Sequence, residues 1–110
     1  MNKDKPLTDI KFKVKKSPIH GKGLFANQII QSGTYIGDYE GSEATEDSTY
    51  VLWIGEEGEE IGVLGENELK YLNHNAKPNA EFDGVQLFAL QEITQDKEIT
   101  IHYGAEWENQ

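Results

Sequence analysis

The residues of this chain that could carry chemistry are few and widely spaced. Asn73 and His74 lie within Tyr71-Leu72-Asn73-His74-Asn75-Ala76-Lys77-Pro78-Asn79-Ala80, Gly21 and Gly23 form a Gly-x-Gly turn, and Tyr103 ends an apolar run. Asn73 and His74 follow Leu69, Tyr71 and Leu72, so their polar groups are expected beside a core, where donors and acceptors must find partners. Such a pair either satisfies the protein's own backbone and closes a loop, or it satisfies a ligand. The stretch alone leaves both readings open.

Several chemistries find no support. His20, His74 and His102 are too far apart in sequence to match a short metal-ligand motif, so no metal site is expected. The chain has no cysteine and no Gly-x-Ser-x-Gly elbow, which removes the usual signatures of nucleophilic catalysis. Gly21-x-Gly23 lacks the third glycine and following helix of a dinucleotide site. Paired carboxylates carry little information in so acidic a chain.

The 110 residues have a net charge of −10, unevenly placed. Residues 1–22 hold seven lysines against Asp4 and Asp9, a balance of +5, which leaves −15 for the remainder. An acidic body repels nucleic acid and steers a basic partner toward itself, so a lysine-containing protein or peptide is expected rather than direct nucleic-acid binding. The same charge also serves plain solubility. No apolar run reaches the roughly 20 residues that cross a bilayer, and the N-terminus leads into no signal-like segment. No membrane contact is expected, and the protein is placed inside the cell, in the cytoplasm.

The elements that must position these residues read as short strands. A flexible N-terminus over 1–9 precedes one domain over 10–110. Ile10, Phe12 and Val14 alternate with Lys11, Lys13 and Lys15, as in a half-buried edge strand. Leu24-Phe25-Ala26 and Tyr35 to Tyr39 are the next strands, and 42–48 reads as an acidic surface loop. Tyr50 to Ile54 is apolar on both faces, as an inner strand would be. It turns through Glu56 to Glu60 into a return strand over Ile61 to Leu64, and 65–71 allows one helical turn. Asp83-Gly84 between strand formers predicts a type I′ hairpin. A last strand over Glu98 to Tyr103 sets Ile99, Ile101 and Tyr103 on one face and His102 on the other. Eight or so short strands without a long helix predict a mainly β domain.

Taken in order, these pieces resemble the SET domain of protein lysine methyltransferases. The matching residues are Ser17-x-Ile19-x-Gly21-x-Gly23-Leu24-Phe25-Ala26, then Ile30, Gly33, Ile36 and Asp38-Tyr39-x-Gly41. Leu72-Asn73-His74 with Pro78-Asn79, and Asp96-x-Glu98-Ile99-Thr100-Ile101-x-Tyr103-Gly104, complete the set over 17–104. The resemblance implies several small twisted sheets, β-clip-like, around a C-terminal pseudoknot in which the last segment passes beneath the loop before it. It implies S-adenosylmethionine as cofactor and a lysine ε-amine in a basic protein segment as methyl acceptor. Backbone groups of Lys22 and Gly23, with Leu24 alongside, would meet the cofactor. The Asn73 side chain would bond its methionine portion, and the His74 backbone its adenine. Trp107 stands where C-terminal aromatics of such enzymes often cover the adenine, a match by position only. Tyr103 corresponds to the family's active-site tyrosine, at the junction of cofactor and acceptor, and Tyr39, Tyr50 and Ile101 to positions lining the lysine channel.

The implied reaction is an in-line displacement by a neutral amine, which needs alignment and exclusion of water. Free lysine has a pKa of about 10.4, and a dry channel beside a sulfonium lowers it. Tyr103 would orient the amine rather than act as general base. The sequence departs from the family at Lys70, where an arginine is usual, at Asn75 for serine, at His102 for aspartate and at Ile101, where an aromatic helps set the number of methyl groups. With a short C-terminus, as in compact stand-alone SET proteins of bacteria and viruses, the channel would be closed either by this chain's own tail or by the second subunit of a homodimer. Two other expectations stand beside this one: a non-catalytic peptide-binding module on the same fold, and methylation of a small amine.

Overall fold

The computed structural model describes residues 11–46, 50–55 and 58–103. Among the described residues ten strands follow in chain order: β1 (Phe12–Lys16), β2 (Lys22–Ala26), β3 (Tyr35–Asp38), β4 (Gly41–Ala44) and β5 (Val51–Ile54). The others are β6 (Ile61–Gly65), β7 (Asn73–His74), β8 (Ala80–Asp83), β9 (Gln86–Ala89) and β10 (Glu98–Ile101). A 3-10 turn over Glu68–Tyr71 is the one helical element among the described residues. The domain is mainly β.

Three small sheets result, ordered β1-β2-β10-β7, β3-β9-β8 and β4-β6-β5. In the first, β10 pairs antiparallel with β2 (Ile99 opposite Leu24) and parallel with β7 (Thr100 opposite Asn73, Ile101 opposite His74). The C-terminal strand is therefore inserted between an early strand and the Asn-His segment, as the implied pseudoknot requires. The segment after β7 keeps hold of it. The Asn75 N–H donates to Ile101 O (2.9 Å), the Asn79 Nδ2 donates to Glu98 O (2.9 Å), and the Thr100 N–H donates to Asn79 Oδ1 (2.8 Å).

The core gathers side chains from separate parts of the chain: Leu24, Ile30, Leu69, Leu87, Ile93 and Ile99 are fully buried. Each contributes about 1.5–3 kcal/mol by leaving water. On the open edge, β1 carries the expected lysines. Lys13 pairs with Asp96, and Lys15 Nζ sits 4.6 Å above the Phe25 ring.

Three local expectations are corrected. Residues 42–44 belong to strand β4, paired with β6 from Gly41–Gly65 to Ala44–Gly62, where a loop was expected. Ser42 and Glu43 face solvent on a sheet edge, so pairing with β6 rather than an apolar pattern makes the strand. β5 is likewise an edge strand, not an inner one, and Trp53 is exposed. The hairpin after β8 is shifted by one residue. Asp83 pairs with Gln86, which leaves Gly84-Val85 as the loop with positive φ (63°) at Gly84 alone, the sign pattern of a II′ turn. Ile10 and Trp107 lie outside the described residues.

Candidate functional site

The Gly-x-Gly turn forms one wall of the site. The Ser17 N–H donates to Gly21 O (2.7 Å), and Gly21 takes a left-handed φ of 46°, which a residue with a Cβ adopts poorly. Gly23 is required for a different reason, since a Cβ there would stand 2.3 Å from Glu98 Oε2 and 3.0 Å from Ser17 Cβ. The two glycines serve a turn and a close approach respectively.

The carboxylate that approaches Gly23 is a hub. Ser17 Oγ donates to Oε1 and Oε2 of Glu98, both at 2.9 Å, and accepts from the Ile19 N–H at 2.9 Å. From the other side Asn73 Nδ2 donates to Glu98 Oε2 (2.8 Å), to His20 O (3.1 Å) and to Lys22 O (3.2 Å). Two amide protons thus face three acceptors. That arrangement fixes which end of the amide is which, because the reverse orientation would set an oxygen against three oxygens. Asn73 is only 6% exposed, and its Oδ1 receives no donor from the described residues. A buried carbonyl oxygen without a donor is costly unless something supplies one.

Tyr103 closes the site from the C-terminal side. Its hydroxyl donates to Leu72 O (2.6 Å), and its backbone N–H donates to His74 Nδ1 (3.0 Å). His74 also packs edge-on against the His102 and Tyr103 rings, with centroids 4.7 and 5.3 Å away. The imidazole is therefore structural: it holds the backbone from which Tyr103 projects. Burial raises the Tyr103 pKa above its ordinary value, and the neighbouring Tyr50 and Glu98 push the same way. The group is a hydroxyl, not a phenolate, at neutral pH.

Between these walls lies a cavity of about 340 Å³ lined by His20, Gly21, Lys22, Tyr50, Lys70, Tyr71, Leu72, Asn73 and Tyr103. That volume lies within the range that holds small ligands. Tyr50 and Tyr71 meet edge to face at 6.2 Å. Lys70 Nζ lies 5.4 Å from the Tyr50 ring centroid and 5.3 Å from that of Tyr71, and Lys22 Nζ lies 5.5 Å from that of Tyr71. Two ammonium groups and a phenol-rich wall thus share one opening, suited to a ligand with an anionic group and an apolar body.

The fold brings Lys22, Asn73, Tyr103 and Tyr50 together in the cavity wall. Gly23 stands behind the wall against Glu98. Leu24 is fully buried in the core, and His74 does not line the cavity but holds the backbone of Tyr103, which does. Tyr39 and Ile101 point into the core rather than the cavity. Tyr39 donates its hydroxyl to Tyr50 O and meets the Phe82 ring edge-on, so its link to the site runs through the Tyr50 backbone. Burial, then Tyr103 and Tyr50, push the Tyr39 pKa up to about 12. Sequence reasoning assigned no role to His20, Lys70, Tyr71, Leu72, Ser17 or Glu98. Lys70 and Tyr71 were within reach of it: they end the helical turn that delivers the chain to Asn73.

Comparison with known proteins bears on the family and the fold. A family model described as the SET domain matches residues 21–104. The histone-lysine N-methyltransferase MEDEA of Arabidopsis thaliana is 27% identical over 117 residues, covering 87% of this chain and 17% of MEDEA. The chain thus spans about a sixth of that relative. The methyltransferase domain of human histone-lysine N-methyltransferase SETMAR superposes with a TM-score of 0.74 at 25% identity, over 89% of this chain and 46% of that one. A Plasmodium falciparum protein described as a candidate histone methyltransferase shares the fold, with a TM-score of 0.69 at 24% identity over 88% and 96% of the two chains. With the family model matching well over half of its length, the chain belongs to the SET-domain family.

Proposed function

We propose that this protein transfers a methyl group from S-adenosylmethionine to the ε-amine of a lysine in a basic protein segment. The observation that carries the reading is the meeting of Asn73, Lys22, Lys70 and a neutral, immobilised Tyr103 hydroxyl around one cavity. The donor set fits the amino-acid part of this cofactor. Asn73, a largely buried side chain of the cavity wall, has in Oδ1 an acceptor suited to an ammonium, and Lys22 and Lys70 complement a carboxylate. When bound, S-adenosylmethionine supplies an electrophilic methyl group on a sulfonium.

The chain's own residues do the rest. Tyr103, tied to Leu72 O, presents a phenol of fixed orientation, and the Tyr50 and Tyr71 rings narrow the opening and displace water. Water exclusion favours the neutral form of an incoming lysine, the form that has a free electron pair. The acidic body, with −15 outside the first 22 residues, draws a lysine-rich segment toward the opening. Relatives named as histone-lysine methyltransferases support the same substrate class.

The test is mass spectrometry of lysine-rich proteins after incubation with the cofactor and either wild-type protein or Tyr103→Phe. Methylated lysine in the first sample, reduced on the order of 10²-fold in the second, is the expected result. Transfer that is indifferent to Tyr103→Phe would remove the role given to that hydroxyl, and no transfer to any lysine-rich protein would remove the reading.

A further inference from the structure

We infer that Glu98 is a positioning residue for the cofactor site, acting through Asn73; the inference rests on the reading above. Glu98 is absent from the cavity wall, yet its carboxylate ties together the two segments that form it. One oxygen accepts from Asn73 Nδ2 at 2.8 Å, and both accept from Ser17 Oγ at 2.9 Å. Ser17 in turn caps the turn by accepting from the N–H groups of Ile19 (2.9 Å) and His20 (3.4 Å). The His20 and Lys22 carbonyls then return to the same Asn73 nitrogen. The network closes on itself, and what it leaves over is Asn73 Oδ1.

The charge matters as much as the connection. A carboxylate is acceptor-only, so it can receive Ser17 and Asn73 together without offering either of them a competing proton. A glutamine at 98 has one oxygen and one NH₂. With its NH₂ toward Asn73 Nδ2, two donors would meet and the Asn73 amide would be released to rotate; with its NH₂ toward Ser17 Oγ, the oxygen still accepts from Asn73, but a neutral acceptor replaces a charged one and the bond that orients the amide weakens. Gly23, with no Cβ, leaves beside it the space that Oε2 occupies, so the carboxylate can sit between Ser17 and Asn73.

The experiment is a double-mutant cycle read by calorimetric titration with S-adenosylmethionine on wild type, Glu98→Gln, Asn73→Ala and the double variant, each checked for folding by thermal melting. Action through Asn73 predicts about tenfold weaker binding for Glu98→Gln. It also predicts that the double variant binds within about twofold of Asn73→Ala alone, because the residue that Glu98 serves is already gone. Ser17→Ala should weaken binding in the same direction and provides a second route if Glu98→Gln folds poorly. Additive losses in the double variant, as an independent structural role would give, overturn the inference, and so does unchanged affinity in folded Glu98→Gln. Those outcomes leave the cofactor reading standing, whereas a wild type that does not bind removes both.

Discussion

Gly23 and Glu98 touch so closely that the hydrogen on Gly23 Cα occupies space no methyl group could share, with a Cβ placed 2.3 Å from Oε2. The backbone of Gly23 has no positive φ, so an alanine there suffers from the carboxylate and not from its own conformation. Gly23→Ala is expected to push Glu98 off Asn73 and Ser17, lowering stability by about 1–3 kcal/mol and weakening the cofactor along with it. Urea titration and cofactor binding, measured on the same preparation, check both parts.

Lys70 stands where the family usually has arginine, and in the fold its ammonium lies over Tyr50 and Tyr71 at the cavity mouth. Lys70→Met, which keeps the length and removes the charge, should weaken S-adenosylmethionine about tenfold and make binding less sensitive to salt. Lys70→Arg should preserve affinity. Titrations at low and high ionic strength separate the charge from the packing of the stem.

Asn79 holds the inserted strand from the side, accepting from the Thr100 N–H and donating to Glu98 O. Asn79→Ala removes the partner of the buried Thr100 N–H and of the part-buried Glu98 carbonyl, at about 1–3 kcal/mol for the buried group and less for the other. Loss of a few kcal/mol in denaturant unfolding is expected, with faster amide exchange at Thr100 than elsewhere in β10.

Tyr39 gives the pH dependence. Its hydroxyl ionises near pH 10 in the unfolded chain and at about 12 in the fold, so the unfolded chain releases its proton first. The contribution to stability is whole below pH 10 and is lost as pH rises toward 12. Tyr39→Phe should cost about 1 kcal/mol at neutral pH, through the lost bond to Tyr50 O, and should flatten the decline over that window. Denaturant midpoints at about pH 9 and about pH 11 measure it.

The sequence already carried the mainly β character, the helical turn before Asn73 and the convergence of Asn73 with Tyr103. Glycine turns and alternation mark strands locally, and the order of motifs marks the family. The Ser17–Glu98–Asn73 network was not legible, because its members lie 81 and 25 positions apart and meet only when β10 enters between β2 and β7. The strand β4 was hidden for a related reason, since its pairing with β6 is tertiary and its own residues are polar. Tyr39 illustrates a third limit. Position in the motif placed it by the channel, but a tyrosine buried among core side chains turns its hydroxyl to the nearest backbone carbonyl, here that of Tyr50.

The most direct measurement is calorimetric titration of the purified protein with S-adenosylmethionine, alongside Asn73→Ala. Binding in the micromolar range, about −8 kcal/mol, that weakens at least tenfold in the variant is the predicted result. A folded wild-type protein that takes up no cofactor, or an Asn73→Ala protein that binds equally well, would contradict the assignment of this cavity.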